Sequence, residues 1–172
     1  MRAFAAVTLA APLLLAAAAP ARLTPDGWGA LRLGMTRAQV TKVLGPDAQP
    51  RATGGPGPAQ CDEYRPRRAP AGMIVMLENG RVSRITLRRT RVLGTDRGIR
   101  IGDPVQRVRT AYRDQKLVDT PHTYVEPPAR YLTWMRPGGG AARGIRYEID
   151  AQSRVSAIHA GGNAIRYVEG CL

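Results

Sequence analysis

Cys61 and Cys171 are the two cysteines of the chain, and His122 and His159 its two histidines. Together they do not form a zinc site, because four ligands at recognisable spacing are needed and the histidines stand far from the thiols. An even pair of cysteines in an oxidising compartment reads instead as a structural disulfide. Closing the 110 residues between them (171 minus 61) would stabilise the fold by ~4–5 kcal/mol in the chain-entropy description.

Nucleophilic and acid–base chemistry finds equally few materials. Ser83, Ser153 and Ser156 are the only serines, and none sits in a Gly-x-Ser-x-Gly context. His159, before Ala160-Gly161-Gly162, reads as a strand-end histidine bonded to backbone, and His122, between Pro121 and Thr123, reads the same way. Asp62-Glu63 are expected to pair with arginine or to be solvated, and they form no spaced dyad. The clusters Gly54-Gly55, Gly138-Gly139-Gly140 and Gly161-Gly162 lack the strand, helix and Lys-Ser/Thr ending of a phosphate loop, so they read as turns. The expectation is a non-enzymatic chain with no catalytic residue, no metal ligand and no cofactor.

Binding is the remaining class of function. The chain carries 26 basic against 13 acidic residues, a net charge of +13, which attracts polyanions. Nearly all the cations are arginines, spread from Arg22 to Arg166, so they read as a solvated basic surface more than as one anion site. Of the aromatic group Tyr124, Tyr131, Trp134, Tyr147 and Tyr167, core packing is expected to claim a share. Trp28 is read as an anchor for the first strand.

The N-terminus sets the compartment. Met1-Arg2, an Ala- and Leu-rich run from Ala3 to Ala19, and Ala19-Pro20-Ala21 before Arg22 form the charge, apolar and cleavage regions of a secretory signal peptide, residues 1–21. The run is short for a permanent span. No cysteine stands at the cut for lipidation. A periplasmic or secreted protein of 151 residues (172 minus 21) follows, with no integral membrane segment. Export argues against nucleic acid as a partner.

An internal repeat organises what is left. Leu31-Arg32-Leu33-Gly34 overlies Ile99-Arg100-Ile101-Gly102 at an offset of 68, and Arg81-Val82-Ser83-Arg84-Ile85 overlies Arg154-Val155-Ser156-Ala157-Ile158 at 73. Thr36 with Gln39 predicts a capping box, with Met35 and Val40 as a staple, and Gly45-Pro46 as the stop. In the second half Asp103 is expected to cap, Pro104 to open the helix and Gln106 to repeat the box. Ile74–Leu77, Asn79-Gly80 and Val82–Leu87 predict a hairpin, and Gly144–Ile149 with Val155–Ala160 predict another. Strands are also expected at Tyr131–Met135 and Ala164–Val168. Alternation puts Ile85, Leu87, Ile145, Tyr147 and Ile149 on a core face. Their neighbours face water on the other. Gly45–Gln60 and Pro137–Arg143 read as loops, and Thr90–Gly98 as an exposed junction between halves. The reading is α+β, two repeats at 22–94 and 95–172, each a short helical segment packed on an antiparallel β-sheet.

Gly29-Ala30-Leu31-Arg32-Leu33-Gly34-Met35-Thr36, then Val40 and Leu44-Gly45, then a hairpin, resembles the beta-lactamase-inhibitor-like fold. The small outer-membrane assembly lipoprotein domain (the BamE, or SmpA/OmlA, type) shares that architecture. With Gly98-Ile99-Arg100-Ile101-Gly102-Asp103 opening a second copy, residues 27–172 look like the tandem inhibitor arrangement, and resemble exported proteobacterial proteins ending in Val168-Glu169-Gly170-Cys171. The resemblance implies a concave sheet surface able to grasp a protein loop. It lacks the lipidated cysteine of the assembly lipoproteins, and no inhibitor contact residue is matched. The expected function is therefore a binding module that engages another cell-envelope protein through outer sheet faces, with Arg84, Thr86, Arg88, Arg146, Glu148 and Arg166 as candidate contacts. The alternative is binding of an anionic envelope ligand, lipopolysaccharide or a polyanionic glycan.

Overall fold

The computed structural model describes residues 20–50, 57, 59–138 and 140–171. The leader expected at 1–21 lies, through residue 19, outside them, as does part of the Gly45–Gln60 loop. The architecture is α+β, with one three-stranded and one seven-stranded sheet and two α-helices among the described residues. No helix there is long and apolar enough to cross a membrane.

Three two-residue strands, β1 (Leu23–Thr24), β2 (Gly27–Trp28) and β3 (Leu31–Arg32), form a small antiparallel sheet. Trp28 holds the chain entry, its indole N–H donating to the Ala21 carbonyl at 3.1 Å. Helix α1 (Arg37–Leu44) follows, with the expected box: Thr36 accepts from the Gln39 N–H, and the Gln39 side chain accepts from the Thr36 N–H. Only Val40 and Leu44 of α1 are fully buried, so an eight-residue helix relies on the sheet it covers.

Strands β4 (Cys61–Tyr64), β5 (Met73–Glu78) and β6 (Arg81–Arg88) make an antiparallel meander. The β5–β6 turn is Asn79-Gly80, with φ of 48° and 71°, the left-handed pair that a tight hairpin needs. Helix α2 (Val105–Ala111) leads into β7 (Leu117–Pro121), β8 (Arg130–Met135), β9 (Gly144–Ile149) and β10 (Val155–Gly161). The large sheet runs β4-β5-β6-β10-β9-β8-β7, entirely antiparallel, with β6 and β10 paired at its centre.

The helices and the small sheet cover one face. Val40 and Leu44 of α1, Val108 of α2, and Leu23 and Leu31 share one core with Val75, Ile85, Leu87, Ile145, Tyr147 and Ile158. Tyr112 completes it, its ring near Trp134 and its hydroxyl 3.1 Å from that of Tyr147. Burial pushes both phenols up from their usual pKa, Tyr147 furthest. Thr90–Gly98, expected to be exposed, buries Gly94 and Thr95. The reason is backbone pairing: Leu23 donates to Gly94 and accepts from Asp96, both at 2.9 Å.

The same contacts recur in the two parts of the chain. Gly34 donates to Val82, Val82 to Met35, and the Arg81 guanidinium to the Gly34 carbonyl. Gly102 donates to Val155, Val155 to Asp103, and the Arg154 guanidinium to the Gly102 carbonyl. Ser83 and Ser156 each sit at a shift in strand register and turn a hydroxyl to a carbonyl of the preceding strand, Met76 and Glu148 respectively.

Two local expectations are corrected. Asp103 does not cap α2, whose N-cap is Pro104 without a side-chain bond. Its carboxylate turns back instead to the Arg100 N–H at 2.8 Å and to Arg107. Ala164–Val168 is not a strand: Asn163–Arg166 form a 3-10 turn, because the Ile165 and Tyr167 N–H groups bond locally to Gly162 and Ala164.

Candidate functional site

The second face of the sheet is not open to water at its centre, contrary to the alternation reading. Arg84, Thr86 and Arg146 are each less than 10 % exposed. The cause is the C-terminal segment after β10, which crosses this face and is tied through Cys171 to Cys61 of edge strand β4. Arg84 donates to the carbonyls of Ala164 (3.1 Å) and Tyr167 (2.9 Å). Arg146 donates to those of Ile165 (3.4 Å) and Arg166 (2.8 Å). A segment without ladder partners thus meets the accounting for buried carbonyls through two arginines. Burial lowers the pKa of both guanidiniums. Arg146 also lies over the Tyr131 ring at 3.6 Å, and His122 stacks with Tyr131 at 4.5 Å. A second small apolar cluster, Cys61, Met76, Ala164 and Cys171, seals the join.

His159 lies under this cover, and its partners are side chains, not the expected backbone. Thr86 Oγ1 is 2.9 Å from Nδ1, and Glu148 Oε1 is 2.8 Å from Nε2. Arg88 reaches the same carboxylate at 3.2 Å. Burial, opposed by the Glu148 hydrogen bond, lowers the pKa of His159 to about 4. At neutral pH the ring is therefore uncharged, with Nε2–H donating to Glu148 and Nδ1 accepting from Thr86. Burial raises the Glu148 carboxyl, but the His159 bond and nearby positive charges bring it down to about 2. His122 follows its expectation, Nδ1 accepting from the Tyr124 N–H.

Of the six candidate contacts, the fold brings Arg84, Thr86, Arg88 and Glu148 together, places Arg146 under the tail, and leaves Arg88 and Arg166 exposed. A recess of about 330 Å³ beneath the tail is lined by Arg65, Arg84, Thr86 and Arg88. Glu63 and Glu169 also line it, Glu63 paired with Arg65 and Arg84. With Glu148 on Arg88, its charges balance.

A neighbouring groove of about 750 Å³ differs. Arg65, Arg67, Arg88 and Arg89 line it, and among the described residues no carboxylate does; Ala69, Pro70, Met73 and Ile74 supply its apolar lining. Among the described residues Arg67 and Arg89 make no ion pair, whereas Arg65 and Arg88 hold Glu63 and Glu148. Arg89 adopts φ of 54°, a left-handed conformation that costs a non-glycine residue on the order of 1 kcal/mol. Gly72 closes the groove against β6, its carbonyl accepting from the Arg88 N–H at 2.8 Å. Sequence reasoning found Arg88 but missed Arg65, Arg67 and Arg89. The runs Arg65-Pro66-Arg67-Arg68 and Arg88-Arg89 were the available signal, split by the β4–β5–β6 meander.

No protein-family model, curated protein or solved structure matches this chain.

Proposed function

We propose that this chain is an exported, non-enzymatic binding module that takes an anionic envelope ligand in the groove between the β4–β5 connection and the end of β6. The observation carrying this reading is the convergence of four arginines on a partly apolar groove that no carboxylate among the described residues lines. Arg67 and Arg89 are the two that make no ion pair among the described residues, so an incoming anion can pair with them directly. The leader-like N-terminus and the disulfide support export. The recurrent Gly–Val–Arg contacts and the paired serine bulges support descent of the two halves from one duplicated unit, on the pattern of the tandem beta-lactamase-inhibitor-like arrangement.

Inorganic polyphosphate is a suitable first ligand for calorimetric titration. Its affinity should fall steeply with added salt and by about tenfold or more in the Arg67→Ala/Arg89→Ala protein. Salt-insensitive binding, or binding untouched by that double substitution, removes the reading.

The second reading, engagement of another envelope protein, is favoured by the sheet edge. β7 leaves residues 118–121 exposed, Val118 among them, and Val125 beyond its end is also open. Crosslinking from position 118 in intact cells tests it, and recovery of no discrete partner counts against it.

A further inference from the structure

Tyr124 and Tyr167 are the exposed members of the aromatic group; Tyr131, Trp134 and Tyr147 are buried. In a chain with few aromatics, two rings at 63 % and 45 % exposure carry an apolar hydration cost that core packing does not relieve. They line one shallow recess of about 590 Å³ beside the Cys61–Cys171 disulfide. The Tyr124 hydroxyl donates to the Glu169 carboxylate, and the nearby Glu78 carboxylate raises the pKa of the Tyr167 phenol. The Glu169 bond anchors the far end of the Tyr124 ring, so that platform is set before any ligand arrives.

The polar groups around them have one character. Glu78, Glu169, Gln60 and Asn79 supply carboxylate and amide groups, and among the described residues no lysine or arginine lines the recess. In a protein of net charge +13, a recess furnished this way is selective against anions. Flat aromatic faces suit ligands with an apolar ring face, and carboxylate and amide acceptors suit a rim of hydroxyl or amine donors. Pyranose rings combine both. The recess is also anchored at both sides: Cys171 is covalently tied to β4, and Tyr124 comes from the β7–β8 connection at the opposite edge of the sheet.

We infer that this recess is a carbohydrate site that takes a short oligosaccharide of neutral or amino sugars, stacked on Tyr124 and Tyr167 and hydrogen-bonded to Glu78, Glu169 and the neighbouring amides. It is separate from the arginine groove and differs from it in the charge of its ligand.

The test is ligand-observed NMR and calorimetry on the oxidised full chain with tri-N-acetylchitotriose, a glucosamine trimer and a galacturonic acid trimer. The two amino-sugar trimers should bind, and the uronic acid trimer at least about tenfold more weakly. Tyr124→Ala and Tyr167→Ala should each weaken binding by about tenfold, the size of one stacking contact, with unchanged melting temperature. Tyr124→Phe keeps the ring but releases it from Glu169, and should give a smaller loss. Arg67→Ala/Arg89→Ala should leave sugar binding intact. Absence of binding by all three trimers, equal binding of the uronic acid trimer, or full binding by both alanine variants would overturn the inference.

Discussion

His159 Nε2 on β10 and Glu148 Oε1 on β9 lie 2.8 Å apart beneath the C-terminal segment. The bond joins a neutral imidazole to a carboxylate that also holds Arg88 of β6, so three central strands share one polar link.

That link makes stability depend on pH. The folded pKa of His159, about 4, lies below its ordinary 6.5, so between those values the unfolded chain binds more protons and stability falls as pH falls. The expected loss is on the order of 2 kcal/mol across that window. Glu148, at about 2 against 4.5, contributes stability above pH 4.5 that is lost as acidification continues toward pH 2. Urea midpoints measured from pH 7 to pH 3 should show the upper slope, and His159→Gln should flatten it between pH 6.5 and 5.

The Cys61–Cys171 bond closes 110 residues. Replacing both cysteines by serine should cost ~4–5 kcal/mol on the chain-entropy estimate. It should also raise hydrogen exchange in the segment from 163 onward more than in β9 or β10. Equal protection of the segment in the two proteins would show that the arginines hold it unaided.

Arg84→Met should be costly despite its similar length. The Tyr167 carbonyl would lose its donor, the Ala164 carbonyl would keep only the Tyr167 N–H, and Glu63 would lose a cationic neighbour. A destabilisation of about 2–4 kcal/mol is expected, since a partly buried acceptor would be left unpaired. Denaturant titration measures it, and a loss below that of Arg166→Met would contradict the assignment.

Gly72 has φ of 84°, and a Cβ there would lie 2.0 Å from the Arg88 carbonyl oxygen. Gly72→Ala should therefore destabilise by more than about 2 kcal/mol and weaken polyphosphate binding through the shifted Arg88.

Arg89→Gly should act in the opposite sense on stability. It relieves the left-handed strain, raising stability by up to about 1 kcal/mol, while removing one groove cation. A rise in melting temperature together with weaker polyphosphate binding is the expected pair of results.

The elements that could be read in advance carry their signals within a few residues. Thr36 and Gln39 are three apart, and Asn79-Gly80 sits between alternating strands; both features formed as expected. β4 and β7 were missed. Cys61–Tyr64 is short and half acidic, and Leu117–Pro121 leaves 118–121 exposed and ends in proline, so neither shows the period-2 pattern. Asp103 misled because its carboxylate had a nearer donor in the Arg100 N–H. The arginine groove was hidden because its four guanidiniums come from two segments some twenty residues apart in sequence, brought side by side by the β4–β5–β6 meander.

Local chemistry in the chain was enough to determine the capped first helix, the hairpins, the pairing of two lone cysteines and the core face of β6 and β9, because each depends on neighbours in sequence or on the absence of any alternative partner. Tertiary structure alone decided what covers the other face. Alternation states that Arg84, Thr86 and Arg146 point away from the core, but burial depends on what else arrives there. Here it is the segment from 163 to 171, whose carbonyls at 164–167 find no strand to pair with and are met by Arg84 and Arg146.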